Sequence, residues 1–377
     1  MKVTAALLEQ MSEPEPYADS KPLHVIEVDL DPPGPGEVVV ELKAAGLCHS
    51  DLSVINGSRP RPVPMVLGHE ASGVVVEVSD GVHAAKVGDH VVFSFVPSCG
   101  LCDHCVHGRF VLCEPAAKAN GAGTLLTGER RLHLDGKDLN HHLGVSGFAT
   151  HAVVAQESVV VIDPDLPFNE AALFGCAVLT GVGAVINTGA VIPGESVGVF
   201  GIGGIGLSMI MGARAAGATQ IVAVDRSEKK LADAKKAGAT DTVLLDDNTV
   251  KNVQDLTHGG VDCALEAAGV VSVFEAAYEA TTSGGRTVTV GLPDPKDTMP
   301  LAPVGLVGQE RTLKGSYMGS VWPRRDIPRF IEMYQAGLLP IKELISAECA
   351  LEDVNTGFDN LSAEKVLRQI LTFPAAS

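Results

Sequence analysis

Apolar and polar positions alternate along this chain in two different rhythms. Up to about residue 175, short β-branched or alternating runs occur at 37–42, 73–78, 90–95 and 151–154. Turn-forming segments such as Asp31-Pro32-Pro33-Gly34-Pro35-Gly36 and Val87-Gly88-Asp89 separate them. A period of two with Pro and Gly breaks predicts a mostly-β region. The stretch 114–146 is polar, glycine-rich and weakly periodic, which predicts a long excursion of the kind that carries function or contacts. Near residue 178 the rhythm changes. Apolar runs at 196–200, 220–224, 242–245, 261–265, 287–290 and 312–315 now alternate with helical stretches, at 205–216 and 229–237 among others. Strand–helix alternation at this pitch predicts a parallel, doubly wound sheet. A further helix is expected at 327–336, before a mixed tail ending near Phe373.

Composition narrows the class. A chain of 377 residues suggests two or three domains. Hydrophobic residues at 46% and charged residues at 20% exclude wholesale disorder. The formal net charge of -18 argues against nucleic-acid or anionic-membrane partners, because phosphates would be repelled over most of the surface. Residues 196–213 form a run of 18 without a charge, long enough to raise a membrane span. The glycines clustered at its centre fit a strand, a tight turn and a buried helix better. The apolar run after Lys2 stops at Glu9, short of a secretory pattern, so a cytoplasmic location is expected.

The chemistry-bearing motifs begin inside that glycine-rich run. Gly201-Ile202-Gly203-Gly204-Ile205-Gly206 fits G-x-G-x-x-G, directly after an apolar strand and opening a helix. Gly201 allows the tight turn, Gly203 lets backbone approach a pyrophosphate, and Gly206 lets the helix sit close to the sheet. The helix N-terminus then offers N–H groups and partial positive charge to phosphates. Asp225 ends the next strand, 19 residues after Gly206. Its carboxylate can accept both ribose hydroxyls and repels a 2′-phosphate, which favours NAD over NADP, although the adjacent Arg226 blurs that preference.

Cysteine spacing is the second signal. Cys99-x2-Cys102-x2-Cys105-x7-Cys113 supplies four thiols in 15 residues. A closed four-cysteine zinc site fits this spacing, a [4Fe–4S] cluster is the main rival, and two disulfides are the plain structural reading. Cys48, His69 and Cys176 lie far apart, in the contexts Cys48-His49-Ser50-Asp51, Gly68-His69-Glu70 and Gly175-Cys176. Two thiolates and one imidazole would leave a fourth zinc position open, as a catalytic site requires.

Together these pieces resemble the zinc-dependent medium-chain alcohol dehydrogenases. The matching segments are Cys48-x-Ser50-Asp51, Gly68-His69-Glu70-x2-Gly73, the four-cysteine lobe, Gly175-Cys176, the 201–206 loop with Asp225, and Arg368-Gln369-Ile370-Leu371-Thr372-Phe373. They stand in family order and spacing along nearly the whole chain. The long segment before His141-His142-Leu143-Gly144 resembles the dimeric, liver-type branch. The resemblance implies an α/β protein with a GroES-like, mostly-β catalytic domain at 1–177 carrying a structural zinc lobe at 97–115. A Rossmann domain would occupy 178–318, and 319–377 would return to the catalytic domain. It further implies two zinc ions per chain, NAD, a small-molecule alcohol or aldehyde, and a homodimer.

The implied roles follow the motifs. Cys48, His69 and Cys176 would hold catalytic zinc, with Glu70 as an alternative or neighbouring carboxylate. Asp51 would hold the other ring nitrogen of His69. Ser50 would take the alcohol proton and pass it to the cofactor ribose. Cys99, Cys102, Cys105 and Cys113 would hold structural zinc. Gly201, Gly203, Gly204, Ile205 and Gly206 would form the phosphate loop, with Asp225, Arg226 and Lys230 near the adenosine ribose. His49 and Arg368 would contact pyrophosphate. Phe95, Leu292 and Tyr317 fall where the family lines its substrate pocket, which would suit hydrophobic or aromatic primary alcohols.

Two positions depart from the pattern. His49 stands where many members carry Arg, and Ser53 where liver-type members end the proton relay with a histidine. Other residues carry less. Cys263 reads as a core thiol and Cys349 has no partner pattern. His141 and His142 read as structural or pocket-rim residues, because adjacent side chains rarely converge on one metal. Arg130-Arg131 and Arg324-Arg325 read as solvated. Three rival functions remain: a formaldehyde–thiol adduct dehydrogenase, a zinc-free reductase, and a non-enzymatic dinucleotide-binding redox sensor. The Cys48, His69 and Cys176 set speaks against the second, and that set with Ser50 beside it against the third.

Overall fold

The computed structural model describes residues 1–373, and counts of elements refer to those residues. Residues 374–377, the end of the expected C-terminal return, lie outside the described residues. The chain divides into two units. The first comprises Met1–Cys176, Trp322–Pro328 and the chain from Ile345; the second comprises Ala177–Val321 and Arg329–Leu344.

The first unit is mostly β. Strands Lys2–Leu8, Leu23–Leu30, Leu132–Leu134, Lys137–His141 and Met65–Val66 close a small barrel. A second, seven-stranded sheet runs in the order Val159–Val161, His90–Phe93, Ala71–Val78, Glu37–Gly46, Arg368–Thr372, Ile345–Ala350, with His151–Ala155 also pairing to Glu37–Gly46. The long Glu37–Gly46 strand joins the two. Val39 packs into the barrel core with Val3, Leu7, Val28 and Val66. Its neighbours Val38 and Val40, equally buried, face the other way, as successive residues of a strand must. This burial on both faces explains why 37–42 reads as an unbroken apolar run.

The second unit holds a six-stranded parallel sheet in the order Asp241–Leu244, Gln220–Asp225, Ser196–Phe200, Val261–Glu266, Thr281–Thr289, Thr312–Gly315. The chain leaves Ser196–Phe200 toward one edge and later returns to its other side. That reversal is the switch point at which open α/β sheets form a ligand crevice. Residues 196–213 divide into the Ser196–Phe200 strand, a turn and the buried helix Gly204–Ala215. No single helix among the described residues is long and apolar enough to cross a membrane.

Three expectations change. The 114–146 excursion is ordered: it contains the helix Glu114–Ala122 and the hairpin Leu132–Leu134 with Lys137–His141. Its short strands bury alternate residues such as Leu132 and Leu139 into the barrel, a signal too brief for periodicity to carry. Arg131 is not a solvated charge, for it pairs at 2.8 Å with the fully buried Glu37. Lastly, 329–344 groups with the second unit rather than the first, because the Ile341–Leu344 turn packs on the Gly204–Ala215 helix.

The turn at 201–206 depends on two glycines. Gly201 has a φ of +94°, a left-handed conformation that side chains resist. A Cβ on Gly206 would lie 2.0 Å from the Gly201 carbonyl oxygen. Replacing Gly206 with Val is therefore expected to cost about 2–3 kcal/mol in urea unfolding, as overpacking of a closed contact does. An unchanged midpoint would show that helix and strand can separate without penalty.

Candidate functional site

Backbone constraints in the first unit bring four donors together. Cys48 sits at the N-cap of the helix His49–Ile55, where the chain leaves the Glu37–Gly46 strand. His69 and Glu70 precede the Ala71–Val78 strand, and Cys176 follows the single turn Leu173–Gly175. Gly68 has a φ of +92°, and a Cβ there would lie 2.4 Å from the Phe148 nitrogen. Only glycine fits that approach, which sets where His69 begins. One donor atom from each of Cys48, His69, Glu70 and Cys176 lies within 4.8 Å of the others. None of these residues is more than 5% exposed. His69 Nε2 and both Glu70 carboxylate oxygens are buried without a hydrogen-bond partner. Soft sulfur and imidazole donors converging with unmet polar atoms fit a thiophilic divalent cation such as zinc.

Asp51 orients the imidazole. Its Oδ1 lies 3.1 Å from His69 Nδ1 and accepts the Gly68 N–H at 3.2 Å. His142 Nδ1 approaches the same oxygen at 3.1 Å. Burial alone would raise the Asp51 carboxyl, but the facing His69 and His142 imidazoles outweigh it and hold it below the ordinary range. Asp51 therefore stays anionic in a dry interior. With Nδ1 of His69 engaged, Nε2 is left for the donor cluster. Phe95 sets its edge against the His69 ring, at 5.1 Å and perpendicular.

Charge within the cluster is shared. The contact between the Cys176 and Cys48 sulfurs holds Cys48 well below the usual thiol range and Cys176 well above it. Burial pushes Glu70 up to about 7 against the pull of Arg368. Arg368, buried, places Nη1 3.5 Å from Glu70 Oε2 and 3.4 Å from the Leu47 carbonyl oxygen. The structure thus finds this arginine, expected at a pyrophosphate, buried beside Glu70. Ser50 lies half-buried in the first turn of the helix. His49 is exposed. Ser53 donates its hydroxyl to the His49 carbonyl at 2.7 Å, so its proton is already committed.

The four cysteines gather separately. One sulfur from each of Cys99, Cys102, Cys105 and Cys113 lies within 4.8 Å of the others. Tetrahedral thiolates about 2.3 Å from one ion stand just under 4 Å apart, whereas a four-iron cubane would hold them further apart. Backbone N–H groups of Leu101 and Cys102 point at Cys99 Sγ, and that of Cys99 at Cys113 Sγ, at 3.3–3.4 Å. Such donors stabilise thiolates. Phe110 in this lobe stacks on Trp322 at 4.7 Å.

In the second unit, Asp225 ties down the glycine loop. One carboxylate oxygen accepts the Ile202 N–H at 2.7 Å and the other the Ser227 N–H at 2.9 Å. Gly203 caps the helix Gly204–Ala215 in extended conformation, and a Cβ there would meet nothing within 4 Å. Gly203 thus leaves the helix N-terminus open to an anion. Arg226 is exposed and Lys230 half-buried, its N–H facing Ser227 Oγ at 3.4 Å. Leu292 and Tyr317 are 56% and 43% exposed, so neither is a core residue, while Phe95 belongs to the first unit. Cys263 is a fully buried strand thiol, which burial pushes up to about 12.

Sequence reasoning missed two features. His141 and His142 point to different partners: His141 Nε2 accepts the Arg131 N–H at 3.1 Å, and His142 faces Asp51. Their adjacency hid that division, although opposite directions are what neighbouring residues in an extended segment adopt. The second is Arg61, which donates to the Asn120 carbonyl oxygen, while Asn120 donates to that of Phe95. No motif marks this chain of contacts.

Two family models match, the alcohol dehydrogenase GroES-like domain over residues 34–164 and the zinc-binding dehydrogenase over 204–336. A Mycobacterium tuberculosis protein provisionally named alcohol dehydrogenase D is 41% identical over 375 residues, covering 98% of this chain and all of that one. An Escherichia coli S-(hydroxymethyl)glutathione dehydrogenase is 37% identical over 95% of this chain and 98% of its own. The crystal structure of benzyl alcohol dehydrogenase from Acinetobacter calcoaceticus superposes with a TM-score of 0.91 at 30% identity, covering 99% and 100% of the two chains.

Metal analysis of the purified protein is expected to return two zinc ions per chain. Cys105→Ser should lose one, and Cys176→Ala the other, each leaving the remaining ion in place. Iron in place of zinc, or loss of both ions from either change, would contradict two independent zinc sites.

Proposed function

The chain belongs to the zinc-dependent medium-chain alcohol dehydrogenase family, and from that premise we propose that it transfers hydride reversibly between NAD and a primary alcohol–aldehyde pair, preferring hydrophobic or aromatic alcohols. The observation that carries this reading is the buried Cys48, His69, Glu70 and Cys176 cluster, with His69 Nε2 buried and without a hydrogen-bond partner. When bound, zinc would supply Lewis acidity to the alcohol oxygen, and NAD the hydride acceptor. Cys48, His69 and Cys176 would hold the metal. Asp51 keeps His69 in one orientation and tautomer through Nδ1. Ser50, two residues after Cys48, takes the alcohol proton in this reading. The Phe95 ring stands perpendicular to that of His69, 5.1 Å away. Asp225 disfavours a 2′-phosphate through its charge, and the open N-terminus of Gly204–Ala215 favours pyrophosphate.

The aromatic preference draws on the likeness to the Acinetobacter benzyl alcohol dehydrogenase. A second reading, oxidation of a formaldehyde–thiol adduct, draws on the Escherichia coli relative. It also draws on Arg59 and Arg61. Burial and then the charge of Arg61 lower the Arg59 pKa, so two cations stand near each other on the segment after the Cys48 helix. The reading includes a cytoplasmic homodimer. Val304 and Val307, 80% and 77% exposed on Pro303–Gly308, precede the edge strand Thr312–Gly315 in the chain and offer an apolar contact for a second copy.

A panel of alcohols and aldehydes followed by NADH absorbance tests the reading. Benzyl alcohol should exceed ethanol in kcat/KM, and glutathione with formaldehyde should give no comparable rate. The reverse order would favour the second reading. Asp225→Ser should raise the NADP-to-NAD ratio of kcat/KM at least tenfold, and an unmoved ratio would remove Asp225 as the discriminator. Val304→Asp with Val307→Asp should convert a dimer to monomer in sedimentation.

A further inference from the structure

His142 is the one imidazole near the donor cluster that the reading above leaves without a task. Its environment is dry, with 1% of its surface exposed, beside the fully buried His69 and Asp51. The His142 and His69 rings stand perpendicular, 5.5 Å apart, and both turn Nδ1 toward Asp51 Oδ1 at 3.1 Å. An ionised carboxylate only accepts, so each nitrogen that faces it must carry its proton. Asp51 Oδ1 thus has His69 Nδ1 and the Gly68 N–H as hydrogen-bond partners, with His142 Nδ1 in close contact at 3.1 Å but outside hydrogen-bond alignment. Asp51 Oδ2 is buried with no partner, so the grip on this carboxylate falls on one side.

The backbone around His142 is built to hold it there. Leu143 and Ser146 take φ values of +51° and +49°, in the left-handed region that costs a residue with a side chain about 1 kcal/mol or more. Ser146 Oγ accepts the His142 N–H at 3.0 Å and donates to the Val66 carbonyl at 2.8 Å. The Gly147 N–H then bonds the Gly68 carbonyl at 2.9 Å. A strained turn is thereby stitched to the segment that delivers His69. Strain of this kind persists where the surroundings over-determine it, and here they converge on one side chain.

We infer that His142 is a positioning residue, a second imidazole that fixes the Asp51 carboxylate and through it the orientation and tautomer of His69 toward the metal. This rests on the reading of Cys48, His69 and Cys176 as a zinc site. Without the His142 contact, Asp51 keeps only His69 and the Gly68 N–H, and its hold on the orientation of His69 loosens. The metal then leaves more easily, while the four-cysteine lobe is untouched.

The test compares His142→Phe, which keeps a ring without a donor, with His142→Asn, whose amide N–H falls close to the position of Nδ1. Zinc release to an excess of chelator is followed for each holoenzyme, and visible spectra are recorded after cobalt replaces the catalytic ion. The Phe variant should lose the Cys176-dependent ion about 10-fold faster than the parent, the order seen when outer partners of ligands are removed. It should also shift the cobalt bands. The Asn variant should stay within about twofold of the parent and keep its spectrum, as replacement of an outer hydrogen-bond donor in kind allows. His142→Leu takes the place of the Phe variant if that protein does not accumulate folded. Equal behaviour of donor-bearing and donor-free variants, whether both impaired or both normal, overturns the inference. A parent protein that binds only the four-cysteine zinc overturns the site reading beneath it instead.

Discussion

Placing two thiols, an imidazole and a carboxylate together in a dry interior is a constraint that the rest of the first unit answers. Each buried polar group without a partner costs roughly 1–3 kcal/mol, and charged groups cost more. His69 Nε2 and the Glu70 oxygens make no protein hydrogen bond, and only the Arg368 charge, 3.5 Å from Glu70 Oε2, offsets part of that cost. A thiophilic divalent cation would meet His69 Nε2 together with the Cys48 and Cys176 sulfurs. Folding and metal binding should be linked for this reason, since the cation contributes energy the protein alone does not supply.

The geometry comes from backbone rather than from side-chain packing. Cys48 begins a helix at the end of a sheet strand, Cys176 ends a single turn, and His69 follows a left-handed glycine pressed against Phe148. These fixed points carry the donors at the ends of rigid elements, which hold a site more tightly than free loops do. The strained turn of Leu143 to Ser146 belongs to the same scaffold, because its hydrogen bonds reach back to Val66 and Gly68.

Two carboxylates near the cluster show how environment divides labour. Asp51 and Glu70 are both fully buried. Asp51 faces two imidazoles and is held in its charged form. Glu70 lies among the thiols with Arg368 opposite, and burial pushes it up to about 7. One carboxylate is therefore a fixed anion that orients. The other sits near the point where its charge depends on what else occupies the cluster. In the second unit, Asp225 carries a third task, bracing the glycine loop through the Ile202 N–H.

The sequence by itself determined the fold class, the glycine loop and the donor sets. The fold class, the glycine loop and the four-cysteine set rest on local rules, namely strand–helix alternation, close-packing glycines and cysteine spacing within 15 residues, whereas the set of Cys48, His69 and Cys176, far apart in the chain, rests on the family resemblance. Tertiary structure decided what those rules cannot reach. It turned the 114–146 excursion into a helix and hairpin, because two short strands gain their stability only from the barrel they complete. It paired Arg131 with Glu37 across 94 residues and set Arg368 against Glu70. It also sent His141 to the hairpin backbone and His142 to Asp51. Those partners are distant in sequence and meet only after the sheets form. Periodicity and spacing describe neighbours along the chain, whereas a buried charge takes its character from whatever the fold brings within about 4 Å.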